Sequence, residues 1–525
     1  MKPFVRTKLL RRADHAMGRY RSMQFRVGNP DPTGVELMTI RVLGALAAVV
    51  VTAGWLAVPA GATRSTVPCD AQGLARALGG ASSGASITLA PHCTYRLTEA
   101  LPVIGVNLTI NGNGATISRV AKAPAFRVLH VGQVVATITD LEVSGGLAEP
   151  GGSGGGILND GVLTLDHVVV TGNRAGDGLA GGYGNGGSGG GVFSSARTTL
   201  TMTNSTVSGN AAGAGGADGT GQTAPGAGGR GGGIGLELAT LTLTGSRVTG
   251  NRAGAGGAGR PGPDASHGGG NGASGGDGGG ISLLGKGSVS VRDSSVCENT
   301  AGAGGKGGDT AGGGAGWGGV AGSGGGLSLG FNSTNVVERS TVCRNTAGRG
   351  GDAGAGTPGM RIAAAGGFAG GLNLMPGSTL AVRDSALTGN ATGEAGKGDP
   401  AEYTNSGGAV LSSGDLTITG GSITGNHSHY GGGAIEQQSP RRSTAAFHID
   451  GLRISGNTAG GPGGGIDLSQ ATNTVNTLRD SEVTGNTAAS GGGLELAASN
   501  TVDLTGSTIR GNHPDDCAPT TCVSA

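Results

Sequence analysis

The stretch Leu241–Asn251, which reads L-T-L-T-G-S-R-V-T-G-N, decides the fold because versions of it recur along most of the chain. Similar phrases occupy 200–210, 380–390 and 416–426, and each is followed by a glycine-rich run. The closing asparagine returns at intervals of 26 to 48 residues. These asparagines are Asn173, Asn210, Asn251, Asn299, Asn345, Asn390, Asn426, Asn457, Asn486 and Asn512. A unit of this length that recurs predicts a solenoid, propeller or array.

Each copy has the hydrophobic pattern of two short strands. The residue three positions before every closing asparagine is aliphatic, as Val207 is, and the residue two positions earlier is most often serine. The two positions share parity, so in a strand both side chains face the same side. The preceding L-T-L is a second strand, in which Leu241 and Leu243 are expected to point inward. Between the strands, a column of mostly Asp, Asn and Gly that runs from Asp166 to Gly506 predicts a turn.

The G-G-G-I segment, as at 278–281, predicts a third strand after the Gly-Asn turn. Three strands and three turns per repeat predict an all-β fold, a single parallel β-helix over 87–512. We expect it to be right-handed, because crossovers between parallel strands are right-handed. Stacked coils would share one core and would place the asparagines about 4.8 Å apart as a hydrogen-bonded ladder. The inner serines would stack likewise, with each hydroxyl bonded to a neighbour.

The V-T-G-N and G-G-[AG]-[IV] phrases resemble those of right-handed parallel β-helix proteins of the pectate-lyase-like superfamily. More narrowly, they resemble bacterial surface proteins with polymorphic-outer-membrane-protein-type repeats. Residues 407–410 and 432–435 match the GGA[IVL] mark of those repeats, whereas the FxxN mark is matched only at its asparagine. The resemblance covers about residues 70–516 and implies the fold of a secreted bacterial surface protein rather than one activity.

Glycine makes up 117 of the 525 residues, and the absence of a G-X-Y period excludes collagen. The glycine-rich insertions fall between the Asn turn and the third strand from 173 to 406, so they are expected to project from one side as a loop ridge. Two interpretations stay open, namely compositional drift in a permissive loop and a binding surface. The notable side chains of the insertions are Trp317, Met360, Arg361, Ile362 and Phe368.

The two ends differ from the repeats. Residues 1–37 are interpreted as a disordered leader or an over-called start. Residues 38–62 combine a basic start, an apolar run and an A-x-A site, which predicts a secretory signal peptide; the alternative is a single membrane anchor. Residues 63–86 are expected to form an N-terminal cap with a helix over 70–79, and 513–525 a C-terminal tail.

Cleavage after Ala62 would leave 26 basic and 31 acidic residues, because positions 1–62 hold nine of the 35 basic and three of the 34 acidic ones. A net charge of −5 argues against nucleic acid as a partner, which needs a basic footprint, and against attraction to polyanions such as pectin. The prediction is a secreted monomer, with cell-surface association left open, that has no transmembrane segment in its mature chain.

An even number of cysteines in an exported chain suggests disulfides. The six cysteines are Cys69, Cys93, Cys297, Cys343, Cys517 and Cys522. Cys297 and Cys343 each lie two residues before a ladder asparagine, so the coil register should bring them within disulfide distance on the exposed face. The first two cysteines flank the cap, and the last two would close a loop in the tail. No C-x-x-C motif is present, and no metal site is predicted from the cysteines.

The coils do not carry the catalytic phrases that polysaccharide-cleaving β-helices would require. Asp450 and Asp467 with Arg453 form the best acidic patch, and His427 and His429 form a weak two-ligand motif. We therefore predict no catalytic residue, no metal and no cofactor. The preferred function is a non-enzymatic scaffold, adhesin-like or binding glycan or cell wall. The alternative is a polysaccharide lyase or glycoside hydrolase, which a close trio of carboxylates with an Arg or Lys in a groove would favour.

Overall fold

The computed structural model describes most of the chain beyond the first 65 residues. The described residues are 66–181, 184–219, 224–264, 266–357, 360–399, 405–438, 445–471, 476–497 and 500–519. The leader predicted at 1–37, the signal peptide predicted at 38–62 and Cys522 lie outside them.

These residues contain one helix, α1 (Ala71–Gly79), and 39 strands. The first nine strands are β1 (Thr66–Val67), β2 (Ala85–Leu89), β3 (Thr94–Leu97), β4 (Leu108–Arg119), β5 (Leu129–Val131), β6 (Val135–Ser144), β7 (Ile157–Asn159), β8 (Val162–Asp166) and β9 (Val169–Thr171). The next fifteen are β10 (Val192–Ser194), β11 (Thr199–Thr203), β12 (Thr206–Ser208), β13 (Ile234–Glu237), β14 (Thr240–Thr244), β15 (Arg247–Thr249), β16 (Ile281–Leu284), β17 (Ser288–Arg292), β18 (Ser295–Cys297), β19 (Leu327–Leu329), β20 (Thr334–Glu338), β21 (Thr341–Cys343), β22 (Leu372–Leu374), β23 (Thr379–Arg383) and β24 (Ala386–Thr388). The last fifteen are β25 (Val410–Ser412), β26 (Asp415–Thr419), β27 (Ser422–Thr424), β28 (His427–Ser428), β29 (Ile435–Gln437), β30 (Phe447–Asp450), β31 (Arg453–Ser455), β32 (Thr458–Ala459), β33 (Ile466–Leu468), β34 (Asn476–Arg479), β35 (Glu482–Thr484), β36 (Leu494–Leu496), β37 (Val502–Asp503), β38 (Thr508–Arg510) and β39 (Cys517–Ala518).

The strands stack in three parallel columns, and each complete coil gives one strand to each column. The first column runs from β8 through β11, β14, β17, β20, β23, β26, β30 and β34 to β37, and the second from β9 through β12, β15, β18, β21, β24, β27, β31 and β35 to β38. The third column runs from β5 through β7, β10, β13, β16, β19, β22, β25, β29, β33 and β36 to β39. The predicted fold is confirmed as a right-handed parallel β-helix with three strands per coil.

The apolar positions predicted to point inward form the core. Leu241, Leu243 and Val248 have no exposed surface, and their counterparts on the neighbouring coils are also buried. Thr242, between the two leucines, is half-buried and faces outward. Because one coil cannot enclose this core, its stability must come from the coils above and below it.

The turn between the first two columns uses the left-handed backbone conformation that Asp, Asn and Gly tolerate best. Asn204 has φ 48° and Gly245 has φ 59° at this place. The prediction was wrong by one residue in the first of these coils, where His167 takes φ 54° and Asp166 ends β8. The reason is that turn position is fixed by distance to the closing asparagine, and His167 holds the matching position.

All ten repeat asparagines are buried, and their side chains bond to one another along the axis. Nδ2 of each asparagine donates to Oδ1 of the next at 2.9 to 3.0 Å. The same Oδ1 also accepts the preceding asparagine's backbone N–H at 2.8 to 3.1 Å. Asp516 ends the row, because its Oδ1 accepts both the Nδ2 and the backbone N–H of Asn512.

The inner serines also stack, although their partners are backbone groups. The Ser246 hydroxyl accepts the backbone N–H of Ser205 in the preceding coil at 3.1 Å and donates to the Thr244 carbonyl at 2.9 Å. The serine hydroxyls therefore bond to the neighbouring coil, as the sequence predicted, and the group that they contact there is the backbone N–H of the preceding serine.

Both ends of the β-helix are covered by short elements. Asp70 caps α1 by accepting the Gly73 backbone N–H at 2.6 Å, and Leu74 and Leu78 of the helix are buried against the first coils. A disulfide joins Cys69 to Cys93 beside this helix. At the other end, β39 pairs in parallel with β36 inside the segment assigned to the tail. Cys517 is disulfide-bonded, and its expected partner Cys522 lies outside the described residues.

Candidate functional site

The glycine-rich insertions form a folded layer, which we call the glycine ridge (174–188, 211–230, 252–277, 300–323, 346–368 and 391–406, where described). Each insertion leaves the Asn turn as an outgoing leg and comes back as a return leg. One row of backbone hydrogen bonds, 2.8 to 3.0 Å long, crosses the ridge from each leg to the next. Its members are all glycines: Gly152, Gly176, Gly187, Gly213, Gly229, Gly254, Gly276, Gly302, Gly322, Gly348, Gly367 and Gly393.

The legs have a three-residue period. Gly213 and Gly216 each donate to the return leg beside them, to Gly187 and Gly184, and a Cβ on either would lie 1.9 or 2.1 Å from a carbonyl oxygen. Three residues per turn without internal hydrogen bonds is the geometry of the polyproline II helix, and glycine is required wherever such helices pack closely. Drift in a permissive loop was thus the wrong interpretation, because these glycines occupy contacts that admit no side chain.

The ridge has two faces, one from the outgoing and one from the return legs. Charged pairs mark the outgoing face, where Lys306 Nζ lies 2.7 Å from Asp309 Oδ1. That same carboxylate oxygen accepts the Ala355 backbone N–H of the next outgoing leg at 2.7 Å. Neutral amides act in its place on the return face, where Asn271 Oδ1 accepts the Trp317 backbone N–H at 2.9 Å. The outgoing face is therefore zwitterionic, whereas the return face carries neutral amides above the Arg230–Asp277 ion pair at its foot.

Three large apolar side chains stand exposed on the return face. Trp317, Val320 and Ile362 are 53%, 60% and 42% exposed. The backbone bond from Gly318 to the Ile362 carbonyl, 3.0 Å long, puts the Trp317 and Ile362 legs side by side. Of the side chains singled out from the sequence, these two therefore lie together. We name Trp317, Val320 and Ile362 the return-face patch.

The return legs and the outer face of the third column enclose a groove, the ridge groove. It contains a cavity of about 290 Å³. Its lining includes Phe193, Glu237 and Ser282 from the strands and Asn185, Arg230 and Ser274 from the legs. A smaller cavity of about 50 Å³ shares Arg230, Ser282 and Leu284 with it and continues toward Phe331 and Met375. Phe331 is 49% exposed, and each of the two cavities has one aromatic residue in its lining.

The floor of the ridge groove is shaped by one column of outward-facing positions. Phe193, Gly235, Ser282 and Ser328 are consecutive partners in this column. A Cβ at Gly235 would lie 3.0 Å from the Phe193 ring, which shows that the ring extends over the glycine of the next coil. The missing side chain at Gly235 therefore leaves room for Phe193 on the floor of the groove.

An ion pair that is partly exposed to solvent closes the wall of the groove. Arg230 Nε lies 3.3 Å from Asp277 Oδ2, and Asp277 Oδ1 accepts the Ser323 backbone N–H at 2.9 Å. Burial raises the pKa of the Asp277 carboxyl, and the Ser323 N–H and Arg230 act in the opposite direction. The pair offers a ligand one guanidinium whose charge is already largely balanced.

Farther along the same outward column, where the tall ridge has ended, three acidic residues follow one another. Glu436 pairs in register with Asp467, and Asp467 with Glu495. We name these three residues the carboxylate stack. Glu436 and Asp467 are each 2% exposed, although they face away from the core. The sequence held a signal for them, since each immediately follows the aliphatic residue of the third strand.

Burial and like charge dominate the electrostatics of the carboxylate stack. Burial, and then the Asp467 charge, raise the pKa of Glu436 to about 7, against hydrogen bonding by Ser406 and Gln438. The pKa of Asp467 is raised by burial, and that of Glu495 by burial and then by the charges of Asp467 and Asp515. Among the described residues, no Lys, Arg or His forms an ion pair with any of the three.

The acidic patch suggested by the sequence does not assemble. Asp467 lies on β33 in the third column, whereas Asp450 ends β30 in the first and Arg453 begins β31 in the second. The ring centroids of His427 and His429 are 4.8 Å apart, and burial and then His427 lower the pKa of His429. Within the described part of the chain, no three His, Cys, Asp or Glu side chains cluster closely enough to hold a metal ion.

Cys297 and Cys343 are paired residues of β18 and β21, and a disulfide joins them with Cα atoms 4.5 Å apart. Cys343 is only 6% exposed, so the outward face is more enclosed here than the sequence suggested. Among the described residues, no helix is both long enough and apolar enough to cross a membrane.

Comparison with known proteins finds likeness only among solved structures. No family model matches the chain. No curated protein matches it either. A pectate lyase structure covers 76% of this chain and 71% of its own at 12% identity and a TM-score of 0.33. The match to tailspike protein 3 of bacteriophage CBA120 covers 88% of this chain and 60% of the tailspike chain, at 11% identity and a TM-score of 0.31. The match to an alginate lyase from a Paenibacillus species covers 84% of this chain and 95% of the lyase chain, at 12% identity and a TM-score of 0.22.

Proposed function

We propose that this protein is an exported, non-enzymatic β-helix that binds a neutral polysaccharide along the ridge groove. The observation that carries the proposal is the lining of the groove, which sets Phe193 among Ser, Asn and Arg groups on a fixed backbone. Sugar rings offer an apolar C–H face and a rim of hydroxyls, which suits an aromatic floor edged by donors and acceptors.

The charges of the groove favour a neutral sugar chain over an acidic one. Arg230 is paired with Asp277, and Glu237 adds a negative charge to the lining. The mature chain has a net charge of −5 if it begins after Ala62. A polyanion would meet no unbalanced cation among the described groove residues, and it would be repelled by the protein as a whole.

Export fits the disulfides. Two described disulfides, Cys69–Cys93 and Cys297–Cys343, need an oxidising compartment, and a signal peptide at 38–62 would deliver the chain to one. The proposal therefore places the protein outside the cytoplasm, free or associated with the cell surface, as a monomer.

A glycan array with the mature protein, followed by titration of the best ligand, tests the proposal. Phe193→Ala should weaken binding roughly tenfold or more, equivalent to about 1.4 kcal/mol. The matched control is Tyr430→Ala, because Tyr430 is also aromatic and 45% exposed but belongs to the coils beyond the ridge. Equal losses for the two variants, or no glycan ligand at all, would contradict glycan binding in the groove.

The second candidate is a polysaccharide lyase or glycoside hydrolase, and the carboxylate stack is the observation that favours it. Cleavage of a glycosidic bond by acid–base chemistry uses two carboxyl groups at a fixed separation. The regular spacing of adjacent coils provides such a fixed separation. Against it, Glu436 and Asp467 are almost fully buried and pair with no described cation. A reducing-sugar assay with wild type and Glu436→Gln decides: activity lost in the variant would establish the enzyme, and inactive wild type supports the scaffold.

A further inference from the structure

The carboxylate stack has a role that glycan binding does not use. Its two most buried members converge, because a Cβ placed on Gly431 would lie 2.5 Å from Asp467 Oδ2 and 2.9 Å from Glu436 Oε2. Register and strand spacing of about 4.8 Å keep Glu495 next to Asp467. Leu411 precedes the stack and Ala518 follows it in the column, so no described charge lies at either end within the column.

The three carboxylates have fewer hydrogen-bond partners than an ionised trio would need. Glu436 Oε1 accepts from the Gln438 amide at 2.6 Å, but Oε2 is buried without a well-formed hydrogen bond among the described residues. Glu495 Oε2 is orphaned in the same way. Asp467 Oδ1 accepts the Ser469 backbone N–H at 2.8 Å. A buried oxygen that finds no donor is expensive as an anion and inexpensive as a hydroxyl.

We propose that Glu436 and Asp467 hold a proton between them in the folded protein, with Glu495 as third member, and that losing it loosens the last coils. A proton on one carboxyl removes the repulsion within the pair and supplies the hydrogen that can bond the facing oxygen. The protein would therefore carry an acid-stabilised lock at its C-terminal end, where no tall ridge supports the coils.

The groups that face the stack leave the sign of the effect clear. The Ser406, Ser469 and Ser490 hydroxyls and the Gln438 amide bond to the carboxylates and favour ionisation, whereas Asp515 adds a further negative charge. Burial outweighs the donors, and the pKa of Glu436 rises from 4.5 to about 7. The stabilisation is thus complete below pH 4.5 and is lost as pH rises through about 7.

Hydrogen exchange of the full mature chain at about pH 5.5 and about pH 8, corrected for intrinsic exchange rates, tests the lock. Peptides that cover 431–437, 463–468 and 491–496 should lose protection roughly tenfold or more at the higher pH, because one pKa unit corresponds to a factor of ten. Residues 234–237 and 281–284, at the same column position under the ridge, serve as an internal reference and should change little.

Variants that keep the side-chain shape but remove the titratable carboxyl test whether protonation causes the effect. Glu436→Gln and Asp467→Asn imitate the protonated form, so each should flatten the pH dependence and leave the coils protected at the higher pH. Asp450→Asn, an exposed acid on a neighbouring coil, should keep the wild-type response. The same loss of protection in wild type and in both stack variants would overturn the proposal, as would no pH response in wild type.

Discussion

The β-helical body and the glycine ridge are built on the same coils, yet they are held together by opposite means. The body buries aliphatic side chains such as Val248, with no exposed surface, and adds hydrogen bonds around that core. The ridge buries almost no side chain at its inner row, where twelve glycines are linked by backbone bonds. A repeated structure can thus be stabilised by side chains that fill a core, or by glycines that let neighbouring backbones approach and form hydrogen bonds.

The largest expected effect lies in the body. Val207→Asp would place a charge in the shared core, which costs several kcal/mol or forces the carboxyl to stay neutral. Thr206→Asp, one residue earlier on the half-buried outer face, should cost less than about 1 kcal/mol. Thermal unfolding followed by circular dichroism compares the two, and equal melting temperatures would mean that the inner and outer faces of β12 contribute alike.

The next effect concerns the bond between coils at the foot of the ridge. Replacing Cys297 and Cys343 by serine opens a loop of 46 residues and should lower stability by roughly 3 to 4 kcal/mol. The same change at Cys69 and Cys93, separated by 24 residues, should cost about half a kcal/mol less. Guanidinium unfolding measures both, and a larger loss at the cap would reverse the expected order.

A smaller effect should distinguish the ridge. A Cβ on Gly302 would lie 1.9 Å from the Gly254 carbonyl oxygen, so Gly302→Ala should cost about 1 to 3 kcal/mol. Gly314→Ala is the matched control, because nothing lies within 4 Å of the added atom. Hydrogen exchange of ridge amides should rise in the first variant only; identical exchange in both would show that close packing does not maintain the ridge.

The smallest effect returns to the body, at the end of the asparagine ladder. Asp516→Ala removes the acceptor of two Asn512 donors and should cost about 1 kcal/mol. The loss should be confined to the last coils, since the nine upstream asparagine contacts keep their partners. Amide exchange that increases along the whole ladder would indicate that the coils open together rather than from the end.

The body could be predicted from sequence because its signals are local. A strand, a turn and a closing asparagine recur within eleven residues, and inward positions share parity, so Leu241 and Val248 identify their own environment. The position of the ridge could also be predicted from the register of the insertions, but its internal packing could not, since its three-residue period reverses direction at each hairpin. Gly213 and Gly216 are in phase with each other, but the glycines of the return leg follow a different phase, so the insertion as a whole does not show one continuous period.

The carboxylate stack escaped prediction for a related reason. Glu436, Asp467 and Glu495 are 31 and 28 residues apart, and only an alignment of the third strands, in which each follows the aliphatic residue, shows that they share a column. Asp450 and Arg453 are closer to Asp467 in sequence than Glu436 is, yet they belong to β30 and β31 and therefore lie on other faces of the triangular coil. The position of a residue relative to the closing asparagines shows which coil it belongs to. The face of the triangular coil on which it lies depends on which of the three strands contains it.

The inner row of glycines also fixes the register of each leg in steps of three residues. Every three-residue turn of a leg presents glycine to the neighbouring legs, and Gly254 and Gly257 hold the same places on one outgoing leg as Gly302 and Gly305 hold on the next. Inserting one or two residues within a leg would move a side chain onto a contact with no room for it. Inserting three would advance the leg by a whole turn and restore the fit. Insertions and deletions in this region should therefore survive at the hairpin tips, or within a leg in steps of three.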